Sequence, residues 1–339
     1  AIKIDVSQPV TGFWLHGEKL DVSRVDVVPA NGKPIAAAYT EVGDEGVAWL
    51  ALADELPAGQ ATVTFEYSAE FGAGLNGLYK VTVGDDDYAF TQFESVYGRK
   101  AFPGFDEPAY KTPFDVTITT RADYAALGNT LEVSREALPD DLQRISYAGT
   151  EPLPTYLLAF AVGPLDVVEH AAIPPNKFRK TPLPLRGVAA RGQGTRLAYA
   201  LENTAPMVAE LERYFGYPYP YDKPDIVAVP DFAAGAMENA GLITYRESLL
   251  LIDDPAPVEQ LRWFGMVHAH ELGHQWFGNL VTMPWWDDIW LNEAFATWMA
   301  SKIVGEVYPE YHAEISQRTR TESAMGSDSL TTARRIRNP

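Results

Sequence analysis

The chain has 339 residues, 46% apolar and 22% charged, which is enough for about two domains that each bury a core. A formal charge of −19 repels polyphosphates and anionic headgroups, so nucleic acid and membrane surfaces are disfavoured as partners and cationic ones fit better. With no cysteine there is neither disulfide nor thiolate, and any metal has to be held by nitrogen and oxygen donors.

Residues 1–165 read as short strands. Ile2, Ile4 and Val6 alternate, as do Val63, Phe65 and Tyr67, the two-residue period of a half-buried strand. Further strands are expected at 47–52, 78–83, 114–120 and 156–162, set apart by Gly, Pro, Asp and Asn clusters. This half predicts an all-β sandwich or saddle. After Asp166, Leu197, Leu201, Val208, Leu211 and Phe215 fall at helical spacing over 195–215. A Pro- and Tyr-rich turn at 217–221 then leads into a strand at 226–229. Pro255 and Pro257 precede a long helical pattern over 258–281, and a second helix is expected to start near Asn292. The change of character predicts two domains, residues 1–167 and 168–339. No internal repeat or low-complexity segment interrupts them.

The chemistry concentrates in the second half. His270 and His274 are four residues apart on the predicted helix, so both imidazoles leave one face about one turn apart and can share a cation. Glu271 beside them can take a proton from metal-bound water and later return it to a leaving amine. With only 6 histidines in the chain, His-Glu-x-x-His arises by accident in roughly one chain in a hundred, so a third ligand is required. A catalytic zinc keeps three protein ligands and leaves the fourth position open. Glu293, after eighteen intervening residues, stands at the start of the segment 292–299, whose apolar spacing suits a second helix, and is the candidate for that ligand. Trp285, Trp286 and Trp290 in the loop between the helices are expected to fix the helix crossing and limit water, and Asp287 and Asp288 are candidates to orient a histidine. His268 lies about 200° around the axis from His270 and faces elsewhere. His16, His170 and His312 stand alone and are assigned no chemistry.

These residues resemble the M1 family of zinc aminopeptidases. The resemblance rests on 270–274, on Asn292-Glu293-Ala294-Phe295 and on Gly235-Ala236-Met237-Glu238-Asn239. It extends to Thr91-Gln92-Phe93-Glu94, Phe105-Asp106-Glu107-Pro108 and the segment 241–247, so it spans most of the chain from about residue 60 onward. It implies an α+β chain with a saddle-like β domain followed by a thermolysin-like, mainly helical catalytic domain of which only the first part is present. It also implies one Zn2+ per chain and peptide substrates with a free N-terminal amine. That amine would be bound by Glu238 with help from Glu94 and Gln92, while the backbone around Gly235, Ala236 and Met237 would run alongside the peptide. Carboxylates one residue's length from the metal suit a protonated amine and restrict cleavage to the first peptide bond. The segment 105–108 reads as structural, with Pro108 in a turn.

Two rivals are weighed against this reading. A related epoxide hydrolase branch shares the zinc triad and a similar Gly-x-Met-Glu-Asn segment, but carries a neutral residue where Glu94 stands. A catalytically silent peptide-binding protein is the other, because the tyrosine that stabilises the oxyanion in the family lies well beyond the third ligand. Tyr308 and Tyr311 follow Glu293 too closely to match it, so that tyrosine is expected beyond Pro339. Losing such a donor costs about 100- to 1000-fold in turnover, so this chain by itself is expected to be weakly active or inactive. No apolar run approaches the roughly 18 residues of a membrane span. No charged-then-apolar segment is read at the start of the sequence, and a start at Ala rather than Met is what processing or a fragment is expected to give. Compartment, oligomeric state and the preferred first residue are not legible.

Overall fold

The computed structural model describes residues 1–30 and 32–333. The chain divides into two compact units. The first comprises Ala1–Lys80, Thr91–Tyr110 and Pro154–Tyr156. The second comprises Val81–Phe90, Lys111–Leu153 and Leu157–Pro339, of which 334–339 lie outside the described residues.

In the first unit, β1 (Ile2–Val6), β2 (Val10–His16), β3 (Leu20–Pro29), β4 (Ile35–Val42), β5 (Val47–Leu56) and β6 (Gly59–Ala69) form one sheet in the order β1-β6-β3-β4-β5-β2, every pair antiparallel. Alternation read along the chain becomes burial here. Val25, Val27, Leu50, Leu56 and Val63 build the core, with Ile4 and Phe65 packed against it. Register places Ile2 opposite Val63 and Ile4 opposite Ala61, so the inward sets of neighbouring strands coincide. The segment 105–108 is structural. Asp106, 2% exposed, accepts from the backbone N–H and Nε of Arg99 and from the hydroxyl of Thr155.

Strands β7 (Gly77–Val83) and β8 (Asp86–Gln92) carry the chain into the second unit and back. There β9 (Thr117–Arg121), β10 (Ala125–Gly128), β11 (Glu132–Leu138), β12 (Leu142–Tyr147) and β13 (Phe160–Gly163) make short antiparallel pairings, β11-β12-β9 and β10-β13-β8. A strand was expected over 156–162; the chain instead turns through Thr155–Leu157 before β13 begins at Phe160.

A mixed sheet supports the helices. Its order is β14-β15-β16-β18-β17, from β14 (Leu165–Ile173), β15 (Leu183–Ala190), β16 (Asp225–Val229), β17 (Ala236–Met237) and β18 (Leu242–Arg246). β15, β16 and β18 run parallel, and β16 is buried throughout, as strands covered on both faces are. The helices are α1 (Ala198–Phe215), α2 (Glu247–Leu250), α3 (Val258–His274), α4 (Ile289–Val307) and α5 (Ala313–Asp328). Leu201, Met207, Val208 and Leu211 of α1 share one core with Ile226, Ile243, Leu272, Met299 and Ile303.

Helix α3 stops seven residues short of the expected 281. The N–H groups of Asn279, Leu280 and Val281 turn back to the carbonyls of His274, Gln275 and Trp276. Gly278 makes this reversal possible, with φ +129° and a position where a Cβ would lie 2.9 Å from His274 Nδ1. Helix α4 begins at Ile289, three residues before Asn292.

Candidate metal centre

Helices α3 and α4 pack through Ala269 and Leu272 against Met299, Ala300 and Ile303, and Gly273 lets Met299 approach to 3.6 Å of the place a Cβ would take. Of the three tryptophans expected to fix the crossing, Trp285 and Trp290 are largely exposed, at 46% and 41%, and Trp286 is half-buried. Small and aliphatic side chains inside the pair set the crossing instead.

The packing brings three side chains to one point. Nε2 of His270 and Nε2 of His274 lie 3.0 Å apart. Glu293 approaches them with its two oxygens, Oε2 at 3.4 Å from His270 and Oε1 at 3.6 Å from His274. Each imidazole has its other nitrogen engaged, Nδ1 of His274 3.2 Å from the carbonyl of Phe277 and Nδ1 of His270 3.4 Å from Thr297 Oγ1. Asp287 and Asp288 sit in the turn Trp286–Asp288. Burial pushes the His274 imidazole down to about 3, with His270 adding to the effect. Burial alone would raise the Glu293 carboxyl, but the hydrogen bond from His270 and the charges of both imidazoles outweigh it and hold the group below its ordinary value.

The donor set fits a cation that prefers nitrogen and oxygen ligands. Tetrahedral sites with bonds of about 2.0–2.2 Å place neighbouring ligand atoms about 3.3 Å apart, close to the separations above. Glu271, 5% exposed, stands on the same helix between the histidines. Glu238, 3% exposed, offers a carboxylate oxygen within 4.8 Å of one from Glu293. The second unit thus gathers His270, His274, Glu293 and Glu238. Gln92, buried at the end of β8, and Glu94, half-buried two residues on, belong to the first unit. Ala236 and Met237 form the edge strand β17 beside β18, and the Gly235 carbonyl accepts the N–H of Arg246.

His268 turns away from the cluster, as expected. It is fully buried, with Nε2 2.9 Å from Thr204 Oγ1 and Nδ1 2.8 Å from the hydroxyl of Tyr245. Because Thr204 donates to the carbonyl of Ala200, the relay runs from Tyr245 O–H to His268 and on to Thr204, joining β18, α3 and α1. Burial lowers this imidazole to about 3 and keeps it neutral. Sequence reasoning missed Thr297, although it stands four residues after Glu293 and therefore on the same helix face.

A β-rich first unit and a second unit in which a helix pair over a mixed sheet gathers two histidines and a glutamate define a two-unit α+β protein with a candidate metal centre. Residues 1–157 match the model of the peptidase M1 N-terminal domain, and residues 199–339 match that of the peptidase family M1 domain. Similar proteins include aminopeptidase M1-C of rice, Oryza sativa subsp. japonica, 35% identical over 334 residues that cover 97% of this chain and 37% of that protein. Human endoplasmic reticulum aminopeptidase 1 is 34% identical over 348 residues, covering 100% of this chain and 36% of that protein. The puromycin-sensitive aminopeptidase of Caenorhabditis elegans is 32% identical over 338 residues, 97% of this chain and 35% of that one. The chain belongs to the M1 family of peptidases and spans little more than a third of the length of these relatives. No helix among the described residues is long and apolar enough to cross a membrane.

Proposed function

We propose that the protein carrying this chain is a zinc aminopeptidase that releases the first residue of peptides with a free N-terminal amine. The observation that carries the reading is the meeting of two imidazole nitrogens and a carboxylate at separations of 3.0, 3.4 and 3.6 Å, with Glu238 beside them. His270, His274 and Glu293 would hold one zinc ion. Bound there, zinc supplies the charge that polarises the scissile carbonyl and acidifies water.

The chain's own residues do the rest. Glu271 takes a proton from the attacking water and hands it to the departing amine, a role its place between the ligands on α3 supports. The Glu238 carboxylate pairs with the protonated amine of the substrate, and its nearness to Glu293 leaves room for a single residue before the scissile bond. Strand β17 lies at the sheet edge, so the backbone at Ala236 and Met237, next to Gly235, can run beside an extended peptide. Glu94 and Gln92 are assigned to the same amine by the family resemblance. Glu293, its side chain 47% exposed, leaves the cluster open to solvent and substrate.

The test is cleavage of a free aminoacyl anilide and its N-acetylated counterpart by the full-length protein, with and without a chelator. Activity on the free amine alone, lost with the metal and restored by zinc, is expected. Equal cleavage of the two substrates would remove the exopeptidase reading.

A further inference from the structure

The segment carrying Glu238 is tied to the metal-bearing helix by one side chain that the chemistry above does not use. Gln275 follows His274 directly and is fully buried. Its Nε2 donates to the carbonyl oxygen of Glu238 at 2.9 Å and its Oε1 accepts the backbone N–H of Gly241 at 3.3 Å. Tyr219, also buried, donates its hydroxyl to the same Oε1 at 3.1 Å. Asn279, in the reversal after α3, donates Nδ2 to the Glu238 carbonyl at 2.7 Å. The carbonyl therefore receives two amide donors, its full acceptor capacity. Both ends of the stretch from Glu238 to Gly241 are pinned to the turn of chain that begins one residue after a metal-binding histidine.

We propose that Gln275 is a positioning residue that sets the distance between the Glu238 carboxylate and the His270–His274 pair, and through it the length of substrate that fits between amine and scissile carbonyl. The inference rests on the amine-binding reading of Glu238. A buried bidentate amide suits this task. It has a rigid plane, one N–H and one acceptor oxygen aimed at the same segment while the second N–H reaches back to the Glu271 carbonyl of α3 at 3.3 Å, and burial keeps water from competing with them. Removing it leaves the Glu238 carbonyl one donor short and the Gly241 N–H without its acceptor, so the segment can shift. A displacement of about 1 Å at a reacting geometry can cost on the order of 100-fold.

The experiment is a double-mutant cycle in the full-length protein, with kcat and KM measured on a free aminoacyl anilide and zinc content measured in each variant. Gln275→Leu is expected to raise KM about tenfold or more, to change kcat less than about threefold and to keep stoichiometric zinc. In the Glu238→Ala background the same substitution should change KM less than about threefold, because the carboxylate it positions is gone. A purely structural role would instead give independent, multiplicative effects, and that result, or an unchanged KM in Gln275→Leu while Glu238→Ala raises it, overturns the inference alone. If Glu238→Ala leaves KM unchanged, the amine reading falls and the inference with it. Should Gln275→Leu not fold, Gln275→Met keeps most of the volume with a flexible apolar side chain, removes both the donor and the acceptor, and carries the same expectations.

Discussion

The Nε2 atoms of His270 and His274 lie 3.0 Å apart while their Nδ1 atoms face Thr297 and the Phe277 carbonyl. Two imidazoles so arranged, with a carboxylate opposite, converge on one point. Metal binding to the folded form alone then adds stability, about 2.7 kcal/mol at a free concentration one hundred times Kd. Chelator treatment should lower the melting temperature of the full-length protein by several degrees, and zinc should restore it. His274→Ala should abolish the response; a variant that still bound one zinc per chain with unchanged affinity would show that this cluster is not the metal centre.

Glu271 is buried on α3 between the two histidines but is absent from the group of converging ligand atoms. Glu271→Gln should therefore leave zinc content unaltered while turnover falls about 100- to 10,000-fold. Metal analysis beside steady-state kinetics separates the two roles. Near wild-type turnover with metal in place would remove Glu271 from the proton transfers.

Gly241 combines φ +70° with a Cβ position 2.4 Å from the Asn129 carbonyl oxygen. That carbonyl cannot move freely, because the Asn129 side chain bonds Leu157, Ala240 and the N–H of Ala159. Gly241→Ala should cost about 2–4 kcal/mol, from the left-handed backbone and the clash together. Gly216, at φ +65° with open space around it, isolates the backbone part, and Gly216→Ala should cost about 1 kcal/mol. Urea midpoints of the two variants check the ordering, and an equal loss would contradict the steric argument.

Tyr245 donates to a histidine that is wholly buried and neutral. Tyr245→Phe leaves Nδ1 of His268 without that donor and should destabilise by about 1–3 kcal/mol. Zinc content should be unaffected, since His268 faces away from the cluster. Thermal denaturation with parallel metal analysis measures both, and loss of zinc in a folded variant would mean that this relay also orients the ligands.

Legibility in the sequence followed the range of the interaction. The pairing of His270 with His274 rests on helical period alone, and alternation in Ile2, Ile4 and Val6 reported a strand without reference to anything distant. The end of α3 was read seven residues late because the deciding feature, the reversal at Gly278, is a single residue whose φ of +129° leaves no periodic trace. Tryptophans between the helices suggested a packed wedge by their size, yet Trp285 and Trp290 keep nearly half of their surface exposed, and only Trp286 is half-buried. The helices close on smaller side chains, and bulk in a loop says nothing about which way it points.

By itself the sequence determined the candidate donor set, its helical spacing, the carboxylate between the two histidines and, by resemblance, the family. Each is carried by residue identity at short separation. Only the tertiary structure decided how the Glu238 segment meets that helix. Gln275 and Asn279 bond the Glu238 carbonyl across 37 and 41 residues of chain. Contacts at such range come from the packing of a sheet edge against a helix end, and no local pattern along the chain encodes them.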